Sequence, residues 1–279
     1  MNCYFFITDI NCLDYAKIAI NSLLKTNPKC EILLFAKDCF PEIPGVTVIP
    51  VYSIEHLNYK IKNIAVDALD LLGHRLKILD ELKEKYNKII MLDTDIIVLE
   101  SLEELFNLSE NYIYGRDELD LHTKFRNSIN NSLWYKPKYY LNSGVMILPS
   151  KVLKTVNLFE TFKKELSLRS EKYVCPEQDL LNYVFRDKTF NLGNRINQFV
   201  TNKEFKNPKV IHYAGIAKPL RVNPILMFMS KYFYNVFDEH LELNKQFISR
   251  EFYLNNKNAL KAKDNLKYDR YIRRNTRNW

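Results

Sequence analysis

Apolar positions along this chain follow two alternating rhythms. One is the short apolar run of a covered strand, seen at 3–8 (CYFFIT), 31–35 (EILLF), 46–51 (VTVIPV) and 88–92 (KIIML). Runs of that length suit strands buried on both faces. The other rhythm is helical. Residues 14–26 set Ile18, Leu23 and Leu24 on one side, and a longer stretch carries Leu69, Leu72, Leu76, Leu79, Leu82 and Tyr86 at spacings of three and four. The resulting β-α-β-β-α-β order predicts an α/β fold: a mainly parallel sheet with helices on both faces.

One strand breaks its own pattern. In 88–105 (KIIMLDTDIIVLESLEEL), Asp93 and Asp95 interrupt an otherwise apolar run. They stand at the carboxyl end of a predicted strand, where open α/β sheets bind their ligands. Two carboxylates this close repel, and burial raises the cost of ionising either. A divalent cation removes both penalties, and Asp-x-Asp spacing lets two oxygens reach one hard ion such as Mg²⁺ or Mn²⁺. The same three residues also suit a solvated turn between strands, with an Asx turn at each aspartate. On this motif alone both readings stand.

Three later stretches carry further chemistry. In 139–150 (YYLNSGVMILPS) an apolar strand is broken by Asn142-Ser143-Gly144, and a strand glycine marks the close approach of a ligand or another backbone. Residues 175–185 (CPEQDLLNYVF) open a helix with Pro176, Glu177 and Asp179 in its first turn; acids there also serve the helix dipole. In 210–220 (VIHYAGIAKPL) a strand is followed by His212, Gly215, Lys218 and Pro219. Histidine can ligate a borderline cation, glycine admits a phosphate close to the backbone, and lysine neutralises it. A single histidine after a strand is equally a structural residue.

Composition narrows the setting. The 279 residues, 47% hydrophobic, suffice for one large domain or two. Five cysteines without a CxxC pair indicate neither a zinc ribbon nor a disulfide framework, so a reducing, cytoplasmic compartment is expected. The start, MNCYFFITDINC, lacks the features of a signal peptide, and no stretch approaches the ~18 apolar residues of a membrane span. Charge is concentrated at one end. Residues 245–279 hold ten Lys and Arg against three acidic residues, so they carry most of the net charge of +8 and leave the body nearly neutral. That distribution argues against a nucleic-acid partner for the body.

In this order the four stretches resemble glycosyltransferase family 8, the glycogenin-like and lipopolysaccharide galactosyltransferase-like enzymes, over roughly residues 3–220. LDTD is similar to the family's metal motif, LNSGVMI to its Asn-Ser/Ala-Gly strand, EQDLLN to its Asp-Gln-x-x-Leu-Asn helix start, and HYAGIAKP to its His-x-x-Gly-x-x-Lys-Pro ending. The resemblance implies a GT-A (Rossmann-like) single catalytic domain over 1–222, and the apolar stripe and basic charge beyond it read as a helical, basic C-terminal extension over 223–279. It implies retaining transfer of a hexose, glucose or galactose, from a UDP-sugar to a glycan, glycolipid or protein. It further implies Mn²⁺, with Mg²⁺ as an alternative, held by Asp93, Asp95 and His212. Catalytic roles fall to Gln178, Lys218, Glu177 and Asp179. Thr8, Asp9 and Asn11 are placed near the uracil, and Arg75, Thr94, Asn142, Ser143, Gly215 and Lys218 along the rest of the donor.

There are departures from the family pattern. Glu177 stands where aspartate is usual, and Cys12 and Leu220 replace frequent aromatic residues. Segment 117–140 has no counterpart; it reads either as a surface insertion or as an acceptor loop whose aromatics (Phe125, Trp134, Tyr135, Tyr139, Tyr140) stack on sugars. A rival sugar-1-phosphate nucleotidyltransferase needs a Gly-rich loop after the first strand, and TDINCLDY has none. A non-catalytic sugar-binding homologue is expected to lose a metal ligand, and all three are present. At the C-terminus, Ile225, Phe228, Met229, Tyr232, Phe233, Val236 and Phe237 form a helical apolar stripe. It either packs on the catalytic body or, with the basic 245–279, rests on an anionic membrane. The sequence leaves the oligomeric state open.

Overall fold

The computed structural model describes residues 1–38, 41–61, 64–118, 134–200, 207–215, 218 and 231–261. In chain order the elements are β1 (Asn2–Thr8), α1 (Leu13–Thr26), β2 (Ile32–Lys37), β3 (Thr47–Val51), α2 (Val66–Leu82), β4 (Lys88–Leu92), β5 (Ile96–Val98) and β6 (Ile113–Gly115). They continue with β7 (Val145–Pro149), α3 (Ser150–Leu153), α4 (Leu158–Arg169), α5 (Pro176–Val184), β8 (Thr189–Asn191), β9 (Gln198–Phe199), β10 (Val210–His212), α6 (Lys231–Leu243) and α7 (250–261).

Seven strands form one sheet in the order β3-β2-β1-β4-β7-β6-β8. The pairings β1–β2, β1–β4, β2–β3 and β6–β8 are parallel, whereas β7 runs against both β4 and β6. The sheet is therefore mainly parallel, as the apolar runs predict. One of its faces is covered by a cluster that includes Leu76, Leu79, Phe162 and Leu180, the other by a cluster that includes Ala19, Ile20 and Leu23 of α1. Two covered faces explain why β1, β2, β4 and β7 read as continuous apolar runs, whereas β3 at the sheet edge is only partly covered.

The reversed strand sets up the site. A parallel neighbour would begin at the far edge, but the start of β7 lies beside the end of β4, with Val145 opposite Leu92. The main-chain N–H of Asp93 donates to Gly144 O at 2.9 Å, which joins the two loops. Past the aspartates the chain leaves the large sheet. β5 enters a smaller one, β5-β10-β9, in which Ile96 pairs with His212 and the N–H of Tyr213 donates to Asp95 O at 2.9 Å.

Helix starts leave N–H groups that need acceptors. In α4 the Asn157 side chain accepts from Glu160 N at 3.0 Å, and Asp80 of α2 accepts from Leu158 N at 3.0 Å and Phe159 N at 2.9 Å. In this way α2, which carries Arg75, is tied to its neighbour.

The C-terminal helices pack against the body. Phe233, Val236 and Phe237 of α6 share a buried cluster with Tyr15 and Ile18 of α1, Ile97 of β5 and Ile211 of β10, and Ile248 and Leu260 join them. Tyr232 is exposed, and the Ile225, Phe228 and Met229 part of the stripe lies outside the described residues. None of the described helices is long and apolar enough to cross a membrane.

Candidate active site

Asp93 and Asp95 sit in the turn between β4 and β5, with half-buried Thr94 between them. At the end of β10, His212 places Nε2 3.2 Å from Asp95 Oδ1 and 3.6 Å from Asp93 Oδ2. One ligand atom from each of the three residues falls within 4.8 Å of the others. Gly144 makes this approach feasible. A Cβ there would lie 2.2 Å from His212 Cε1, so only glycine lets the ring seat. The close approach expected at this strand glycine is thus that of a side chain.

Side chains of the protein also compensate the two carboxylates. Arg75 Nη1 donates to Asp93 Oδ1 at 2.7 Å and reaches Glu177 Oε2 at 3.4 Å. Lys218 Nζ donates to Asp95 Oδ2. Burial works to raise the Asp95 carboxyl, but His212 and Lys218 outweigh it and hold the group well below the usual carboxylate range. Burial works against the charged His212 imidazole, yet Asp95 and Asp93 lift its pKa above the ordinary value. Glu177 is different: burial pushes its carboxyl up to about 7 against the pull of Arg75. Three buried atoms of this group, Arg75 Nε and Nη2 and Glu177 Oε1, have no hydrogen-bond partner among the described residues.

A second network abuts the first. Gln178 Oε1 accepts from Ser143 N at 2.8 Å and from Asn142 Nδ2 at 3.1 Å, and Gln178 Nε2 donates to Glu118 Oε2 at 2.8 Å. Asn142 Nδ2 also donates to Glu118 Oε1 at 2.8 Å. Asn197 Nδ2 donates to Asn142 Oδ1 at 2.8 Å, while its oxygen faces His212 Nδ1 at 3.0 Å.

The structure therefore gathers Asp93, Asp95, His212, Arg75, Lys218, Glu177, Gln178, Asn142 and Ser143 into one connected set. Asp179 stands apart from it. Its carboxylate accepts from Tyr140 OH at 2.5 Å, Val174 N at 2.7 Å and Cys175 N at 2.9 Å, which makes it a brace for the start of α5 rather than a group facing the aspartates. Thr8, Asp9 and Asn11 form their own turn at the end of β1, where Asp9 Oδ1 accepts from Cys12 N at 3.0 Å. Because β1 and β4 are parallel, that turn opens at the same sheet edge as Asp93. Gly215 is exposed, with φ +59° and open space around it.

Sequence reasoning missed Glu118 and Asn197. Both come from polar, aperiodic stretches. Glu118 is signalled only by its place just after β6, where its N–H donates to Tyr140 O at 2.8 Å and carries the ladder past the strand. The described aromatics of 117–140 make contacts within the protein, Tyr139 against the main core cluster. Trp134 packs on Tyr173 and Tyr183 with ring centres 4.7 and 5.4 Å apart, and Tyr135 on Tyr183 at 5.3 Å. Tyr140 is fully buried, and Phe125 lies outside the described residues.

A mainly parallel sheet with one reversed strand, and an Asp-x-Asp turn meeting a histidine from a second small sheet, define an α/β protein with a candidate cation site at its strand ends. The chain belongs to glycosyl transferase family 8, whose match spans residues 3–221. It is 30% identical over 165 residues to lipopolysaccharide 1,2-glucosyltransferase of Escherichia coli (52% of this chain, 48% of that protein). It is 27% identical over 164 residues to galactinol synthase 4 of Arabidopsis thaliana (50% of this chain, 47% of that protein). The chain thus spans about half the length of these relatives. In fold it resembles the galactosyltransferase LgtC in complex with donor and acceptor sugar analogues, with a TM-score of 0.61, 19% identity, and coverage of 83% of this chain and 96% of that one. The architecture is the GT-A fold.

Proposed function

We propose that this chain is a metal-dependent, retaining hexosyltransferase that moves glucose or galactose from a UDP-sugar to a glycan, glycolipid or protein acceptor. The observation that carries the proposal is the convergence of Asp93, Asp95 and His212 within 4.8 Å at the ends of β4 and β10. Two carboxylates and an imidazole suit Mn²⁺, with Mg²⁺ as the harder alternative. A bound ion supplies Lewis-acid charge against the departing diphosphate.

The remaining roles belong to the chain itself. Lys218 brings a second positive charge to the aspartate end of the site, where phosphate charge develops. Arg75 and Glu177, with their unpartnered buried atoms, present donors and an acceptor to the hydroxyls of the donor sugar. Gln178 is held at both ends of its amide and keeps one N–H of Nε2 for that sugar. Thr8, Asp9 and Asn11 take the base, and Thr94, Ser143 and Gly215 line the donor's path. Hexosyl transfer is supported by the names of the relatives, a glucosyltransferase and a galactinol synthase. A peripheral position on the cytoplasmic face of a membrane is supported by the basic 245–279 stretch.

The test is UDP release from UDP-glucose and UDP-galactose, with Mn²⁺ and after EDTA. Mn²⁺-dependent release supports the proposal, and release that is unaffected by EDTA overturns its metal part. NMR of the first product reads the anomeric coupling, and a β-linked product from an α-linked donor overturns retention.

A further inference from the structure

Three amides near the aspartates, Asn142, Gln178 and Asn197, have their orientation traced to two main-chain N–H groups. A main-chain N–H only donates. Gly144 N, at 2.9 Å, therefore meets the oxygen of the Asn142 amide and turns Nδ2 toward Glu118. By the same reasoning Ser143 N meets the oxygen of Gln178 and turns Nε2 onto Glu118. Asn142 Oδ1 is an acceptor, so the atom of Asn197 that faces it at 2.8 Å is Nδ2. Asn197 Oδ1 then faces His212 Nδ1 at 3.0 Å. An amide oxygen only accepts, so Nδ1 must carry a hydrogen to bond it, and the lone pair of a neutral ring falls on Nε2, the nitrogen beside both carboxylates.

We propose that Asn197 is a positioning residue for cation binding: its side-chain oxygen holds His212 in the Nδ1–H form and aims Nε2 at Asp93 and Asp95. The proposal rests on the metal reading given above. Asn197 is itself fixed. It is fully buried, and Arg116 Nη1 donates to its backbone oxygen at 2.8 Å. Arg116 lies over the Phe199 ring at 4.2 Å, and that ring meets His212 edge-on at 5.4 Å. Gly144 and Phe199 both pack against the imidazole, and one hydrogen bond decides which nitrogen is left free. Outer partners of metal-bound histidines act in this way, by fixing tautomer and ring orientation.

The probe is Mn²⁺ alone, titrated into the full chain and followed by the EPR signal of the free ion. Asn197→Leu keeps the branched shape and removes the acceptor, and it is expected to weaken Mn²⁺ binding about 10- to 100-fold. Asn197→Asp keeps an acceptor for Nδ1–H and, protonated on the oxygen that faces Asn142 Oδ1, also keeps a donor to it; it is expected to bind within about threefold of wild type. Melting temperatures without metal are recorded for both, since a merely structural role lowers them without producing rescue by aspartate. Wild-type affinity in Asn197→Leu overturns the proposal. A loss in Asn197→Asp as large as that in Asn197→Leu also overturns it. If Asn197→Leu does not fold, Asn197→Asp decides alone, and a loss of tenfold or more (about 1.4 kcal/mol) counts against the proposal. Wild-type protein that binds no Mn²⁺ removes the metal reading itself, a separate failure.

Discussion

At the scale of single residues, the charge balance of the site turns on Arg75. It is buried, and it is the shared partner of Asp93 and Glu177. Removing one partner of a buried pair leaves the other charge uncompensated, at a cost of about 3–5 kcal/mol. Arg75→Ala is expected to lower stability by that order in urea unfolding. Asp93→Asn and Asp95→Asn are expected to leave folded protein and to reduce UDP release by at least ~100-fold, because each removes charge from the proposed leaving-group site. Added Mn²⁺ should restore EDTA-treated wild type and neither variant. Gly144→Ala should weaken Mn²⁺ binding without touching any ligand atom, since its Cβ would occupy the place of the His212 ring.

Glu177 gives a pH test. Its carboxyl is raised from 4.5 to about 7, burial being the main cause and Arg75 opposing it. The folded state therefore holds this proton more tightly than the unfolded chain, and the group disfavours folding increasingly as pH rises from its unfolded value through its folded one. Glu177→Gln removes that dependence. The melting temperature of the variant relative to wild type should climb between about pH 5 and about pH 8. A difference that stays flat would show that Glu177 ionises normally.

At the scale of elements, α5 is the part whose role changes most between sequence and structure. Its first-turn acids divide: Glu177 joins Arg75, while Asp179 ties the helix start to Tyr140 and the 174–175 backbone. Asp179→Asn should cost about 1–3 kcal/mol in urea unfolding through these donors. Wild-type stability with lost UDP release would instead favour the catalytic role that the family resemblance implies for Asp179. Strands β1 to β4, β7 and β10 were legible because apolar runs of strand length have few alternatives, and Asp93 and Asp95 because charge inside such a run is anomalous; the two- and three-residue β5, β6, β8 and β9 are too short to carry a period. Glu118 and Asn197 were not legible. A polar residue in a polar loop carries no mark of burial, and theirs arises from tertiary contacts made across 60 and 55 positions of the chain with Gln178 and Asn142. The reversal of β7 was hidden for a related reason, since the period of a strand does not reveal its direction.

At the scale of the whole molecule, the C-terminal region divides into a packed part and a remainder. Ile248 and Leu260 belong to the buried cluster on α1, Ser249 Oγ donates to Asp14 Oδ2 at 2.6 Å, and Asn21 Nδ2 donates to Asn244 Oδ1 at 2.6 Å. A cut at Asn244 would uncover apolar surface of the body, whereas a cut after Lys261 spares these contacts. Six of the ten basic residues of 245–279 lie beyond Lys261. Each is worth about 1 kcal/mol near an anionic surface, less with salt. The full chain is expected to sediment with phosphatidylserine-containing vesicles at low salt and to detach at high salt. The chain ending at Lys261 should stay in the supernatant and still release UDP. Equal sedimentation of both would remove 262–279 as an anchor.

That shortened chain has an optical consequence. Of the two tryptophans, Trp279 is removed and Trp134 remains, wedged among Tyr135, Tyr173 and Tyr183 beside the guanidinium of Arg169. Tyr135 OH donates to the backbone oxygen of Asp179 at 3.2 Å, next in the chain to Gln178. The shortened protein therefore carries one indole, mechanically linked to the helix that holds the proposed sugar contacts. Its emission should shift in wavelength or intensity as UDP-sugar is titrated in, and the shift should disappear in Tyr135→Phe if that hydroxyl transmits it, which gives an unlabelled fluorescence readout of donor seating.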